Sequence, residues 1–234
     1  MQSADSFRRW RDAAPEGFVF AVKGHRQATH FRRLVGATAS IADFFSSGVL
    51  ALGDKLGPVL WQTPPNLRFD ARILDAFLGA LPHSTAEAAA LIGRHGRLES
   101  SRRWLPANEN HRIRHAFEVR HESFLDPSFA EILRRHRVAA VVADTAGRYP
   151  RIREVTADHV YVRLHGDSEL YASGYGEKAL REWADAAGGW ADGSACPDHV
   201  GRDVYVFFDN DVKVRAPYDA MRLREMLTES TTTL

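Results

Sequence analysis

Two stretches of this chain place acids, bases and cations at alternate positions of an apolar run. In Phe117-Glu118-Val119-Arg120-His121, the charged Glu118 and Arg120 alternate with Phe117 and Val119. A strand there has one hydrophobic face and one charged face. In Val160-Tyr161-Val162-Arg163-Leu164-His165 the same pattern recurs: Val160, Val162 and Leu164 share a face, and Tyr161, Arg163 and His165 share the other. A carboxylate and an imidazole in one cleft can pass protons to and from a bound molecule, and guanidinium groups beside them can clamp an anion. Glu118 and His165 are therefore the acid/base candidates, with Asp144 as a further catalytic candidate. Arg120 and Arg163 are the clamps.

Other predicted strands also end in polar groups. Lys23 follows Phe18 to Val22, Gln62 follows Val59 to Trp61, Asp144 follows Val141 to Ala143, and Asp209-Asn210-Asp211 follows Val204 to Phe208. Lys23 adds a third cation, while Gln62, Tyr175 and Asn210 can orient a substrate; His30, His121 and Asp211 complete the set of candidate binding residues. The competing reading is structural, with Glu118 and Arg120, or Asp144 and Arg163, as internal ion pairs. Several charges buried without a function are costly, which favours a site. Glu118, Asp144, His165, Asp209 and Asp211 are also possible metal ligands. Lys23, Arg120 and Arg163 would oppose a cation among them, and neither HxH nor HExxH spacing occurs, so the expectation is no metal and no cofactor.

The elements that must hold these groups alternate between strand and helix. Helices are expected from Asp5 or Ser6 to Ala14, Ser40 to Leu52, Arg72 to Leu81, Thr85 to Ile92, Pro127 to His136, Glu177 to Ala187 and Pro217 to Leu227. Strands are expected at Phe18 to Lys23, Val59 to Gln62, Ala116 to Arg120, Val138 to Asp144, Val160 to His165 and Val204 to Phe208. Residues 83–113 read as an excursion, 230–234 as a polar tail, and 1–229 as one domain. Residues 25–34, with two His and three Arg directly after a strand, either bind phosphate or form a solvated helix start; the second reading leads, except at His30. The loop from Gly166 to Gly176 is either a lid or an ordinary connection. Short apolar strands between helices indicate an α/β protein with a parallel sheet. Neither GxGxxG nor GxxxxGK[ST] is present, so a (β/α) barrel is favoured over an open nucleotide-binding sheet, with polar groups gathered at the C-terminal mouth.

Composition narrows the partners. Among 234 residues, 31 Lys plus Arg meet 30 Asp plus Glu, a formal charge of +1 that provides no global field for nucleic acid or an anionic membrane. No apolar stretch has the length of a membrane span or of a signal-peptide core. The single cysteine, Cys196, fits a reducing compartment. These points predict a cytoplasmic protein whose partner is a small molecule; they leave its oligomeric state open.

The runs GDKLGPVLWQTPP (53–65), FEVRHESF (117–124), VVADTAG (141–147), YVRLHGDSELYASGY (161–175) and VYVFFDND (204–211), in this order and at these spacings, resemble the domain of unknown function 72 family, also called YecE-like. The resemblance extends from about Ser3 to Leu227. It implies a TIM-type barrel and no settled reaction. It also implies that the recurring polar positions of the family fall at Lys23, Thr29, His30, Gln62, Glu118, Arg120, His121, Asp144, Arg163, His165, Gly166, Tyr175, Asn210 and Asp211. At Asp209 many members have Asn, so this chain carries an extra negative charge there.

Members of that family usually begin with two strands that have no counterpart here. The chain is accordingly read as lacking the first two of eight strands, with Met1 an internal methionine of a longer reading frame. Three functions follow as hypotheses: an enzyme, isomerase-like or hydrolase-like, acting on a small anionic or sugar-like ligand; a binder using the same residues without turnover; or a truncated, inactive fragment. An in-frame upstream sequence encoding the two strands is the expected genomic observation, and a stop codon directly before Met1 would refute the shortened reading.

Overall fold

A computed structural model describes residues 2–97, 110–167 and 169–232. The chain divides into two compact units, Met1–Phe117 and Glu118–Leu234.

The first unit begins with α1 (Ala4–Ala13), capped by Ser3, whose side chain accepts from the Ser6 amide. The cap thus falls two or three residues before the Asp5 or Ser6 expected from the sequence. Next come β1 (Phe20–Lys23), α2 (Thr38–Ser46), β2 (Leu56–Gln62), α3 (Ala71–Gly79), α4 (Thr85–His95) and β3 (His115–Glu118), whose last residue opens the second unit. β1 and β2 run parallel, with Lys23 beside Leu60. The Val59 amide donates to the Arg114 carbonyl at 2.9 Å, which ties β2 to the segment entering β3.

Local chemistry explains where these elements stop. β1 is shorter than the apolar run that predicts it, because Phe18 and Val19 lie exposed before the ladder starts. The helix expected from Ser40 to Leu52 breaks at Gly48, after which Val49–Lys55 form a separate 3-10 segment. Gly48 has φ 113°, and a Cβ there would lie 2.5 Å from the Ala4 Cα. Both facts require glycine at this crossing of α1. Asp70 caps α3 by accepting from the Arg72 and Ile73 amides, and Ser84 caps α4 by accepting from the Glu87 amide. Residues 83–85 and 111–113 pair across the expected excursion, with an antiparallel bridge at Ser84–Arg112. The part of the excursion at 98–109 lies outside the described residues. Residues 27–31, expected to start an ordinary helix, form one π-helical turn.

The second unit holds α5 (Pro127–Arg135), β4 (Ala139–Asp144), β5 (His159–Leu164), α6 (Glu177–Ala191), β6 (Asp203–Phe208) and α7 (Ala216–Thr232). β4, β5 and β6 are parallel neighbours. Asp126 caps α5, and Pro127 occupies the first helical turn, where no intrahelical amide bond is lost. α7 extends through part of the expected tail, whose last two residues lie outside the described set.

The alternation along β5 separates two environments. Val160, Val162 and Leu164 enter a hydrophobic cluster with Leu180, Trp183, Ala184 and Trp190 of α6 and with Leu223 and Met226 of α7. On the opposite face Tyr161 stacks on Phe207 with ring centroids 4.9 Å apart, and His159 meets Tyr205 edge-on. Among the described residues, no helix is long and apolar enough to cross a membrane. Leu164→Ala should destabilise the fold by about 2–5 kcal/mol, because it opens a cavity in the helix-facing cluster. A denaturant midpoint unchanged in that variant would refute the face assignment.

Candidate functional site

The polar face of β5 ends in a buried cluster within the second unit. Arg163 stands at its centre. Its Nη1 donates to Oε2 of Glu118 at 2.6 Å and its Nη2 to Oδ2 of Asp209 at 2.5 Å. Two carboxylates thus share one guanidinium, from the last residue of β3 and from the residue just after β6. Arg120 adds a second cation: its Nε donates to Oε1 of Glu118 at 3.2 Å and its Nη2 to the Tyr171 hydroxyl at 3.3 Å. The guanidinium of Arg120 also lies over the Tyr149 ring, 5.1 Å from its centroid.

His165 continues the same face beyond β5. Its ring is 0 % exposed, with Nδ1 3.0 Å from Oδ2 of Asp209 and Nε2 3.9 Å from Oε1 of Glu118. The angles satisfy no hydrogen bond, so both ring nitrogens are buried without one. Tyr171 covers the ring edge-on with centroids 5.3 Å apart. Tyr171 is itself in the left-handed region, φ 65°, where a bulky side chain is uncommon. Its amide bonds the His165 carbonyl, and its carbonyl accepts from the Val212 amide.

Burial sets the electrostatics. Desolvation opposes the charge on Arg163, but the neighbouring Glu118 and Asp209 outweigh it and hold the guanidinium above its ordinary pKa. Under Arg163, burial pushes the Tyr161 phenol up; Arg163 opposes that shift, and the carboxylates of Glu118 and Asp209 reinforce it.

The remaining predicted residues fall into smaller groups. Asp144, buried at the end of β4, pairs with Arg151. It also adds to the upward shift of the Tyr175 phenol, which burial dominates. The Tyr175 hydroxyl accepts from the Gly166 amide at 3.1 Å while its ring joins the helix-facing cluster, so it closes the loop that follows β5. Asn210 is buried and donates from Nδ2 to the Ser173 carbonyl at 3.0 Å and to Asp219 at 2.8 Å. Asp211 is exposed at the start of a 3-10 turn. The Nδ1 of His121 accepts from the Ser123 amide at 3.1 Å and caps the turn Glu122–Leu125. In the first unit, Lys23 donates to Oε1 of Gln62 at 2.7 Å, and Nδ1 of His30 lies 2.9 Å from Oγ1 of Thr29.

The structure therefore brings together Glu118, Arg120, Arg163 and His165, and adds Asp209, which the sequence offered only as a possible metal ligand, and Tyr171, which it did not single out. Asp209 had a signal, its extra charge at a strand end; Tyr171 had only its membership of a tyrosine-bearing loop. Among the described residues, no group of three or more His, Cys, Asp or Glu side chains is arranged to hold a metal ion. The guanidinium of Arg163 lies between the two carboxylates.

An α/β fold of parallel strands with a buried acid–base–cation cluster at its strand ends defines the structural class. Residues 1–234 match the family described as Protein of unknown function DUF72, and the chain belongs to that family. A DUF72 family protein from Thermotoga maritima has a similar structure, with a TM-score of 0.72 at 22% identity over 97% of this chain and 80% of that one. A DUF72 family protein from Enterococcus faecalis gives a TM-score of 0.68 at 15% identity, again over 97% and 80%. At these identities the likeness is one of fold. No curated protein matches the chain significantly.

The two buried phenols give a pH prediction. A folded pKa raised above the unfolded value of about 10 contributes stability that is complete below that pH and is lost as pH rises beyond it. Tyr161 and Tyr175 should therefore form tyrosinate only as the fold is lost. In an alkaline absorbance titration, Tyr161→Phe should remove part of this late step; a loss confined to the ordinary step at about pH 10 would count against the burial of that phenol.

Proposed function

We propose that the cluster around Glu118 and His165 is the acid/base centre of an enzyme, isomerase-like or hydrolase-like, acting on a small anionic or sugar-like molecule. The observation that carries this reading is His165, fully buried beside two carboxylates with neither ring nitrogen hydrogen-bonded. A buried polar atom left without a partner costs about 1–3 kcal/mol. A substrate hydroxyl or carbonyl reaching the imidazole repays that cost at the moment of binding, so the cost works as selectivity for substrate.

In this reading Glu118 and His165 exchange protons with the substrate, and Arg120 and Arg163 hold its negative charge. Tyr171, bonded to Arg120 and packed on His165, excludes water. Asp144 acts indirectly, through Arg151 and Tyr175, by bracing the loop that begins at Gly166. The finer architecture belongs to the same proposal: strands followed by helices, with polar groups collected at strand ends, fit a TIM-type (β/α) barrel whose C-terminal mouth is the site. The free, buried thiol of Cys196 fits a cytoplasmic protein.

The test begins with a thermal-shift screen of sugar phosphates, sugar acids and short hydroxy acids, since a bound molecule stabilises in proportion to its occupancy. With a hit in hand, Glu118→Gln and His165→Ala should each lower turnover by about 10²-fold or more while leaving binding within a few-fold. Affinity changes without any turnover in the parent protein would instead make the site a binder.

A further inference from the structure

Asp209 differs from the rest of the cluster in one respect: it reaches solvent. Its side chain is 37% exposed, against 11% for Arg163 and 1% for Glu118. A single oxygen, Oδ2, lies 2.5 Å from Nη2 of Arg163 and 3.0 Å from Nδ1 of His165. We propose that Arg163 and His165 form an oxyanion socket in which the Asp209 carboxylate is an internal stand-in, displaced by the carboxylate or phosphoryl group of a small ligand. This rests on the proposed function for the location of the site and narrows its substrate to one with a terminal oxyanion.

Three features support the exchange. The first is that Asp209, already partly hydrated, regains hydration in exchange for the bond to Arg163 that the ligand takes over, whereas Glu118, shut away from solvent, would forfeit its pairing with no hydration in return. The second is the fit of the resident carboxylate. Tethered to the backbone just after β6, it comes close to Nδ1 of His165 without the alignment for a hydrogen bond, and neither ring nitrogen gains one. An oxygen on a ligand is free of that tether and can align with both donors. The third is preorganisation. Nη1 of Arg163 remains on Glu118 when Nη2 changes partner, so the guanidinium plane is already set for the incoming oxyanion.

The occupant follows from this chemistry. A neutral sugar face offers no charge to replace the one that leaves Arg163, and a cation would meet the guanidinium. Carboxylate and phosphoryl groups share the required oxygen geometry, so inorganic phosphate and acetate serve as separate probes.

Isothermal titration of the full chain tests the socket. Asp209→Asn removes the competing charge at nearly constant shape, and it should bind phosphate, acetate or both about tenfold more tightly than the parent, equal to about 1.4 kcal/mol. Adding Arg163→Gln to that variant should abolish the gain. A gain for phosphate alone assigns a phosphoryl ligand, and one for acetate a carboxylate. Equal affinities of Asp209→Asn and parent for both probes overturn the proposal. If Asp209→Asn does not fold, the parent protein decides: the Arg163 Nε–Hε NMR signal should move on titration with phosphate or acetate, and a signal unmoved by either overturns the socket. Neither measurement needs turnover. An intact socket with Glu118→Gln fully active would remove the acid/base reading alone, and an absent socket would leave that reading with a neutral substrate.

Discussion

The second unit is organised around the burial of one positive charge. Arg163 lies inside β5, where an unpaired guanidinium would lose several kcal/mol of hydration. Its planar fork faces two acceptors at once, and each charge-assisted bond returns about 1.5–3 kcal/mol. Two carboxylates are needed to balance the loss, and they come from different strand ends, Glu118 as the last residue of β3 and Asp209 just after β6. The arginine therefore fixes the relative position of two chain segments far apart in sequence. It also places His165, two residues on and on the same face, between the carboxylates it has gathered.

That arrangement depends on the other face of the strand. Val160, Val162 and Leu164 are committed to α6 and α7, so β5 cannot slip by one residue without turning Arg163 and His165 into the hydrophobic cluster. The core thus determines the direction in which the charges point. Tyr161, stacked on Phe207 beneath Arg163, separates the polar end of the face from its base and keeps the dielectric around the ion pairs low.

Face assignments were legible in the sequence because a strand has a period of two and the apolar residues of β5 and of the run at Phe117 obey it. Ends of elements were less legible. Arg120 reads as a strand residue, yet β3 closes at Glu118, and His121 uses its ring nitrogen to start a new turn. Gly48 interrupts an apolar periodicity that continues on both sides, so the break becomes visible only when Ala4 arrives against it. Tyr171 and Tyr175 are four residues apart in one loop, and composition does not rank them. The structure packs Tyr175 with Phe208 in the apolar cluster and leaves Tyr171 over His165. The role of Asp209 depends on register: with Arg163 opposite Phe207, the second residue beyond that position meets the guanidinium fork. Such long-range pairing is not written in either strand alone.

The loops around the cluster are anchored from outside it. Asn210 bonds the Ser173 carbonyl and Asp219 of α7, and the Tyr175 amide also donates to Asp219. The segment after β5, the segment after β6 and the first turns of α7 therefore share one carboxylate, which has no part in the Arg163 network. Because Asn210 immediately follows Asp209, this anchor holds the backbone from which the Asp209 carboxylate reaches Arg163 and His165. Tyr171 is held by Val212 on one side and Arg120 on the other, so a turn of the Asp209 side chain changes what Arg163 and His165 face without requiring the loop over them to unfold.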